Sequence, residues 1–339
     1  MWPHQRAAST ELVIRREALC PFRTTTRRAI IPPTVRADIA NTDYEWYEFF
    51  LARPEIDEVN FWRPGGANFQ ALTPGEPLLF RLKAPYNAIA GAGFFVTFSL
   101  LPVSVAWDAF DLKDGVASEL AMRARIELYR RRMGSQIVTR VDARIGCIVL
   151  AEPIFLNRGD WIREPTDWHR NIVAGRTEDL TQGEGARIWD ELMHRVRMTR
   201  EESDPAARFG AERLVRPRLG QGSFRVLVTD SYDRRCALSG ERTLPVLQAA
   251  HIKPYSLGGM HHVSNGMLFR SDLHMLFDRG YVTVTPDHRF EVSRRIREEF
   301  ENGRDYYAFE GRTVRLPNLE SQHPDPDLLR WHNDNIFRG

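Results

Sequence analysis

The order of apolar and polar residues predicts that folded structure begins near Asn41. Thr42 or Asp43 can cap a helix at this point, because Thr and Asp side chains accept hydrogen bonds from the free N–H groups of a first helical turn. The apolar side chains that share one face of this helix are Trp46, Phe49, Phe50 and Leu51. Residues 1–36 show no such pattern and are rich in arginine. They are predicted to be a flexible leader or an over-extended start, with a transit peptide as the alternative.

The rest of the N-terminal half is predicted to be rich in strands. Its β-branched and aromatic runs are bounded by Gly and Pro, which is typical of strands. These runs cover 77–85, 93–104 and 145–156. Helices are predicted at 118–132, between the last two strands, and at 178–198.

A polar stretch without apolar periodicity follows residue 198 and predicts a linker. At 339 residues the chain exceeds the usual span of one hydrophobic core, so two domains are expected. The predicted parts are the leader at 1–36, a recognition domain at 37–200, a linker at 201–220 and an effector domain at 221–339. The predicted fold class is α+β in both domains.

The effector domain is predicted to contain a ββα unit. PVLQAAHI forms a strand that ends at His251, KPYSLGGMHHVS forms a long turn closed by Asn265, and MLFR forms an antiparallel strand. Ser271 can cap the helix that follows, in which His274 and Asp278 stand four residues apart on one face.

Weaker patterns complete the effector domain on either side of the ββα unit. A short helix or strand is expected at 225–232, before the unit. A pair of hairpin strands is expected after it, at 281–285 and 290–293. The last predicted element is a helix at 327–335.

Composition narrows the class of protein. No apolar run approaches the roughly 20 residues that span a bilayer, so a membrane protein is not expected. The three cysteines are far apart and odd in number, which argues against a disulfide framework and favours a reducing, cytoplasmic location. The 47 Lys+Arg and 45 Asp+Glu leave a net charge of +2, which permits a nucleic-acid partner without establishing one.

Four of the ten histidines fall between residues 251 and 274, which suggests a site. Hydrolysis of a phosphodiester needs a base for water, a cation for the phosphate and a group that steadies the base. His251 can take the proton, and His274 with Asp278 can ligate a divalent cation. Asn265 can hydrogen-bond across the loop to orient His251.

The segments CALSG, AAHIKPYSLGG, SNGM and HMLFDRG resemble the motif of HNH (ββα-metal) endonucleases, in the bacterial branch that lacks zinc-binding cysteines. The resemblance covers roughly residues 213–335. It implies that His251 is the general base, Asn265 the loop-organising residue and His274 a metal ligand. One divalent ion, Mg²⁺ or Mn²⁺, is the implied cofactor.

One position departs from that motif. Many HNH sites carry an acidic metal ligand directly before the base, where this chain has Ala250. Asp278 can supply the missing carboxylate from the helix, and Gln248 or a backbone carbonyl can complete the ligand shell. Cys236 is interpreted as a core residue and not as a nucleophile.

Several residues around the motif are predicted to contact DNA phosphates or groove edges. They are Gln221, Arg225, Lys253, His261 and His262. The alternative for the two histidines is that they are loop residues only. For Gln221 and Arg225 the alternative is a solvated linker.

Four segments of the N-terminal half weakly resemble a PUA-like barrel, the group that contains SRA and EVE domains. They are FWRPGG, LLFRLKAPYNAIAGAGFFVTF, residues 107–110 and IGCIVLAEPIFL. The resemblance implies a pocket for a flipped, modified base, which needs aromatic walls and a few polar groups. The candidates are Trp62, Tyr86, Asn87 and Trp161, each with core packing as the alternative.

The leading hypothesis is a modification-dependent restriction endonuclease that binds double-stranded DNA with modified bases. Because one HNH site cuts one strand, double-strand cleavage calls for a homodimer or two binding events. One rival is an HNH nicking enzyme or toxin without modification dependence. Another is a non-catalytic DNA reader, since Ala250 removes an expected ligand.

Overall fold

The computed structural model describes residues 36–203 and 220–339, except Met133, residues 135–141, Arg170 and residues 173–174. The predicted leader, except for Arg36, and nearly all of the predicted linker lie outside the described residues, as does Cys20. The described part forms one compact unit of mixed α and β structure.

A mixed sheet of seven strands forms the N-terminal half. The strands are β1 (Arg36–Thr42), β2 (Glu58–Arg63), β3 (Pro77–Leu82), β4 (Ala88–Pro102), β5 (Arg144–Phe155), β6 (Ile162–Arg163) and β7 (Gly175–Asp179). Their order is β2-β5-β4-β3-β1-β7, with β6 paired to β4. β1 runs parallel to β3, and the other pairs are antiparallel. Within the described residues β2 and β7 are open edges, so the predicted barrel does not close.

The predicted strands at 77–85, 93–104 and 145–156 correspond to β3, β4 and β5, whereas β1 was not predicted. Its sequence, RADIANT, has few β-branched residues and places Asp38 and Asn41 inside a strand. Two neighbours override this weak propensity, because β3 and β7 supply hydrogen bonds on both sides of β1. Ordered structure therefore starts before Asn41, the predicted starting point.

Four helices accompany the sheet within the described residues. They are α1 (Tyr44–Leu51), α2 (Val103–Phe110), α3 (Glu119–Arg132) and α4 (Gly183–Ser203). α1 buries Trp46 and Phe50 against Phe80 and Phe155, as its apolar face predicted. Asp43 precedes α1, but its side chain pairs with Lys83 instead of capping the helix.

The C-terminal half is built around the predicted ββα unit. It contains α5 (Gln221–Ser231), β8 (Leu247–His251), β9 (Gly266–Arg270), α6 (Ser271–Asp278), β10 (Val282–Val284), β11 (Phe290–Val292), α7 (Arg295–Phe300), α8 (Arg304–Tyr307) and α9 (Pro326–Asn335). β8 and β9 are antiparallel, and α6 follows β9 directly. Ser271 is the first residue of α6 and not its cap, a position that Arg270 holds without a side-chain hydrogen bond.

Helix α5 lies between the two halves. It contacts β8 and β9 of the ββα unit on one side and α2 and β4 of the N-terminal half on the other. Cys236 is fully buried in the core of the C-terminal half, as predicted. Among the described helices, none is long and apolar enough to cross a membrane.

Candidate active site

The predicted base, His251, is the last residue of β8 and lies opposite Gly266 on β9. Its imidazole stacks on the ring of Phe224 from α5, with ring centroids 3.8 Å apart and planes inclined by 14°. Its Nε2 atom is 2.9 Å from Nδ1 of His261 in the loop between β8 and β9. One face and one edge of this imidazole are therefore held by other residues.

Burial lowers the pKa of His251 from 6.5 to about 4. The positive charges that His261 and His274 can carry lower this pKa further, and the carboxylate of Asp278 acts in the opposite direction. His251 is therefore neutral at pH 7 and has a lone pair with which to accept a proton.

The contact between His251 and His261 also bears on which nitrogen is basic. If Nε2 of His251 carries the proton, it donates to Nδ1 of His261 and leaves Nδ1 of His251 with a free lone pair. If Nδ1 of His261 donates instead, the neutral His251 ring carries its proton on Nδ1 and has no free lone pair. A base role for His251 requires the first arrangement, in which His261 sets the tautomer.

His261 is itself held in place. Its ring stacks on Tyr255, with centroids 4.5 Å apart and planes inclined by 6°. Burial lowers the pKa of His261, while Glu58 and Asp57 raise it. Because these two carboxylates belong to β2 and the residue before it, the site lies close to the N-terminal sheet.

Asn265 is buried and fastens the backbone of the β8–β9 loop. Its side-chain oxygen accepts a hydrogen bond from the Lys253 amide at 2.9 Å. Its side-chain nitrogen donates to the carbonyls of Lys253, at 3.0 Å, and Met260, at 2.9 Å. Asn265 acts on the loop backbone, and no contact between its side chain and His251 is seen among the described residues.

The structure brings the two predicted metal ligands together on α6. Nε2 of His274 is 3.2 Å from Oδ2 of Asp278, and Nδ1 of His274 is 2.9 Å from Oε1 of Gln248 on β8. When Nδ1–H donates to Gln248, Nε2 of the neutral ring is left as an acceptor that faces a carboxylate oxygen. Both atoms are then electron-pair donors of the kind that a cation can bind.

This pair fits a divalent cation, since one imidazole nitrogen and one carboxylate oxygen are ligands that Mn²⁺ and similar ions accept. Within the described residues no group of three or more His, Cys, Asp or Glu side chains is placed to hold a metal. Water, phosphate or backbone oxygens would have to complete the shell. Ala250 is fully buried in the core of the C-terminal half and presents no ligand.

The predicted DNA-contacting residues lie in different surroundings. Gln221 and His262 are exposed, and His262 accepts a hydrogen bond from the Ser264 amide. Arg225 is half-buried and donates to the carbonyl of Asp108 at 2.6 Å. The Lys253 ammonium lies 5.1 Å from the ring centre of Trp331.

Three of the four predicted base-pocket residues lie near one another. The rings of Tyr86 and Trp161 are 5.5 Å apart, and Asn87 follows Tyr86 and accepts a hydrogen bond from Arg81. Trp62 belongs to a different core cluster, where its indole N–H donates to the carbonyl of Asp114. The structure therefore does not bring Trp62 to the other three.

A cavity of about 310 Å³ opens elsewhere on the N-terminal sheet, and none of these four residues lines it. Its polar wall includes the buried Asp38 carboxyl, whose pKa is raised by burial, and the Arg63 guanidinium, whose pKa is lowered by burial. Arg63 also lies over the ring of Phe69, another lining residue. Sequence patterns did not indicate these residues, because Asp38 lies in the unpredicted β1 and pairs with β7.

Comparison with known protein families finds one match, in the C-terminal half. Residues 236–285 match the family model described as HNH endonuclease, and this segment contains β8, β9 and α6. The segment includes His251, Asn265 and His274, so the resemblance stated from the sequence is confirmed. No curated protein matches the chain.

Solved structures show distant similarity. The ASCH protein from Zymomonas mobilis has a TM-score of 0.30 and 11% identity, over 46% of this chain and 94% of that one. The modification-dependent restriction endonuclease TagI has a TM-score of 0.28 and 14% identity, over 83% of this chain and 75% of that one. The phosphorothioation-dependent restriction endonuclease ScoMcrA has a TM-score of 0.20 and 17% identity, over 66% of this chain and 45% of that one.

Proposed function

We propose that the protein is a metal-dependent DNA endonuclease whose N-terminal half directs it to modified DNA. The observation that carries the nuclease assignment is the geometry of the ββα unit. A neutral histidine ends one strand, a buried asparagine fastens the loop, and a His–Asp pair lies on the helix. The match of residues 236–285 to the HNH endonuclease model supports the same assignment.

In this proposal His251 removes a proton from water through Nδ1 while the water oxygen bonds to phosphorus. The bond from phosphorus to the 3′ oxygen then breaks, and the leaving oxygen gains a proton from solvent. His274 and Asp278 would hold the ion, which when bound stabilises negative charge on the phosphate and on the leaving oxygen. His261 and Phe224 keep the base oriented, and Asn265 keeps the loop closed.

Selection of modified DNA is assigned to the N-terminal half, and two places in it are candidates for a base pocket. One is the aromatic group of Tyr86 and Trp161 with Asn87 beside it. The other is the cavity lined by Asp38 and Arg63, which offers an acceptor and donors for the edge of an extruded base.

A panel digest tests the function. Plasmids with methylated, hydroxymethylated, glucosylated, phosphorothioated and plain DNA are incubated with the protein in Mg²⁺, in Mn²⁺ and in chelator. We expect cleavage of at least one modified substrate with either metal and none in chelator. Metal-dependent cutting of all substrates at one rate would support an unselective nicking enzyme or toxin. DNA binding without any cleavage would support a non-catalytic reader.

The two candidate pockets are separated by paired variants. Tyr86→Ala with Trp161→Ala is compared with Arg63→Ala, and Leu120→Ala, on the exposed face of α3, is the control. Loss of the modified-to-plain binding ratio in one variant, with phosphate affinity intact, identifies the pocket. An unchanged ratio in both variants would remove both candidates. Light scattering on the DNA complex tests the proposed homodimer.

A further inference from the structure

A buried carboxylate of the N-terminal sheet meets the first turn of α5. Glu58 on β2 is fully buried, and its oxygens accept hydrogen bonds from the amides of Gly222, at 2.6 Å, and Ser223, at 2.9 Å. The Ser223 hydroxyl donates to the same carboxylate. The ammonium of Lys113 lies 2.9 Å from Glu58 and neutralises its charge.

This arrangement stabilises both the buried carboxylate of Glu58 and the first turn of α5. The first N–H groups of a helix have no partner inside the helix, and they carry a partial positive charge. A carboxylate that accepts two of them is stabilised by strong, charge-assisted hydrogen bonds. Burial alone would lower the pKa of Lys113. The carboxylates of Glu58 and Asp57 together raise this pKa by more than burial lowers it, so the ammonium stays charged.

The approach of α5 to the sheet is too close for side chains at two positions. A Cβ atom on Gly220 would lie 2.2 Å from the carboxyl carbon of Glu58. A Cβ atom on Gly222 would lie 2.6 Å from the ring of Phe110 on α2. The start of α5 is therefore fixed against both β2 and α2.

The residue after Ser223 reaches the base. Phe224 lies in the same first turn of α5 and stacks on His251 at 3.8 Å. Gly266, opposite His251, also lies in close contact with α5, since a Cβ atom there would lie 2.4 Å from the side chain of Val228. A displacement of the first turn of α5 would therefore move the surface on which the base rests.

We propose that Glu58 is a positioning residue for the nuclease site, acting through the first turn of α5 and Phe224 on His251. The inference rests on the proposed role of His251 as the base. It means that the C-terminal half has its base in working orientation only while α5 is fastened to the N-terminal sheet.

The test compares Glu58→Ala, Glu58→Gln and Phe224→Leu in the full chain. Asp179→Ala is the matched control, because Asp179 accepts N–H hydrogen bonds just before α4, which packs on β6 and β7. The readouts are kcat and KM for metal-dependent DNA cleavage, the melting temperature, and hydrogen exchange of residues 221–226. Misplacement of a catalytic group by about 1 Å costs on the order of 100-fold in rate.

We expect Glu58→Ala and Phe224→Leu to lower kcat about 10- to 100-fold with KM nearly unchanged. Glu58→Gln, which keeps an acceptor, should recover part of the rate, and exchange at 221–226 should rise in both Glu58 variants. The double variant Glu58→Ala/Phe224→Leu should be little worse than Phe224→Leu alone. Wild-type kcat in Phe224→Leu and Glu58→Gln would overturn the proposal, even if Glu58→Ala does not fold. Absence of cleavage by the wild type would instead overturn the proposed function.

Discussion

At the scale of single residues, the low pKa of His251 has a measurable consequence. The folded-state pKa of about 4 lies below the ordinary value of 6.5, so the ring gains its proton only in acid. We expect the acidic limb of the kcat/KM profile to lie near pH 4, with the rate nearly constant between pH 8 and pH 6. The groups that face this ring are His261, His274 and Asp278. A limb near pH 6.5 at saturating metal would contradict the burial of the base.

Removal of the imidazole is the direct test of the base. His251→Ala is expected to lower kcat by 100-fold or more, on the order of a lost general base, and to leave the Kd for DNA nearly unchanged. Gel-shift and cleavage assays on one substrate separate the two effects. His323→Ala, which removes a histidine bonded to the carbonyl of Pro317, is the control. Cleavage by His251→Ala at the wild-type rate would show that His251 is not the general base.

The His274–Asp278 pair has a prediction of its own. Asp278→Asn should need more metal for half-maximal cleavage, because the amide loses the negative charge that attracts the ion. His274→Ala should need more still. Asp272→Asn is the control, because Asp272 lies on the same helix and pairs with Arg270. Identical metal titrations for Asp278→Asn and the control would show that Asp278 does not bind the metal and contacts His274 only.

The candidate residues that motif spacing indicates lie close to one another along the chain. His251, Asn265 and His274 belong to the ββα unit, in which His251 ends β8, Asn265 directly precedes β9 and His274 lies on α6. The supporting contacts were not predictable in this way. Phe224 reaches His251 from another element, α5. The packing of α6 against β8 places Gln248 beside His274. Such contacts depend on tertiary packing, which leaves no local pattern.

At the scale of elements, the β8–β9 loop depends on Asn265. Asn265→Ala removes three hydrogen bonds from a buried amide and is expected to lower the free energy of unfolding by about 1–3 kcal/mol. Asn265→Asp should lower kcat as well, because a carboxylate would face the carbonyls of Lys253 and Met260. Chemical denaturation measures the first effect and steady-state cleavage the second. Asn318→Ala, at an exposed amide, should change neither.

Prediction of elements succeeded where propensity and environment agree. β3, β4 and β5 are rich in aliphatic and aromatic residues and are mostly buried, and helices α1, α6 and α9 carry apolar faces. β1 and β7 have ordinary composition and exist because neighbouring strands pair with them. The closure of a barrel was predicted from family resemblance alone, and the pairing of β1 with β7 leaves the sheet open instead.

At the scale of the whole molecule, the proposed division of labour can be tested with fragments. A recognition fragment that begins at Asn41 lacks most of β1, which pairs with β3 and β7, and is expected to be unfolded. A fragment of residues 33–235 retains β1 and the partner of Glu58, and should fold and prefer modified duplexes. Circular dichroism and binding at two salt concentrations are the measurements. Raising salt should weaken modified and plain complexes alike, since both share phosphate contacts. Equal affinity for all duplexes would contradict recognition of modified DNA by this half and would leave only the nuclease assignment.

The contact between Glu58 and the first turn of α5 also bears on the order in which the chain folds during synthesis. Strand β2 leaves the ribosome well before α5, and the β1–β7 pair is complete once residue 179 has emerged. Domains generally fold as they are synthesised, N-terminal part first. The N-terminal sheet is therefore expected to fold before α5 leaves the ribosome, so the carboxylate of Glu58 is already in place when the first turn of α5 and the ββα unit form. Under the proposed function, a chain whose N-terminal half is misfolded would lack this support for His251 and would cleave DNA weakly.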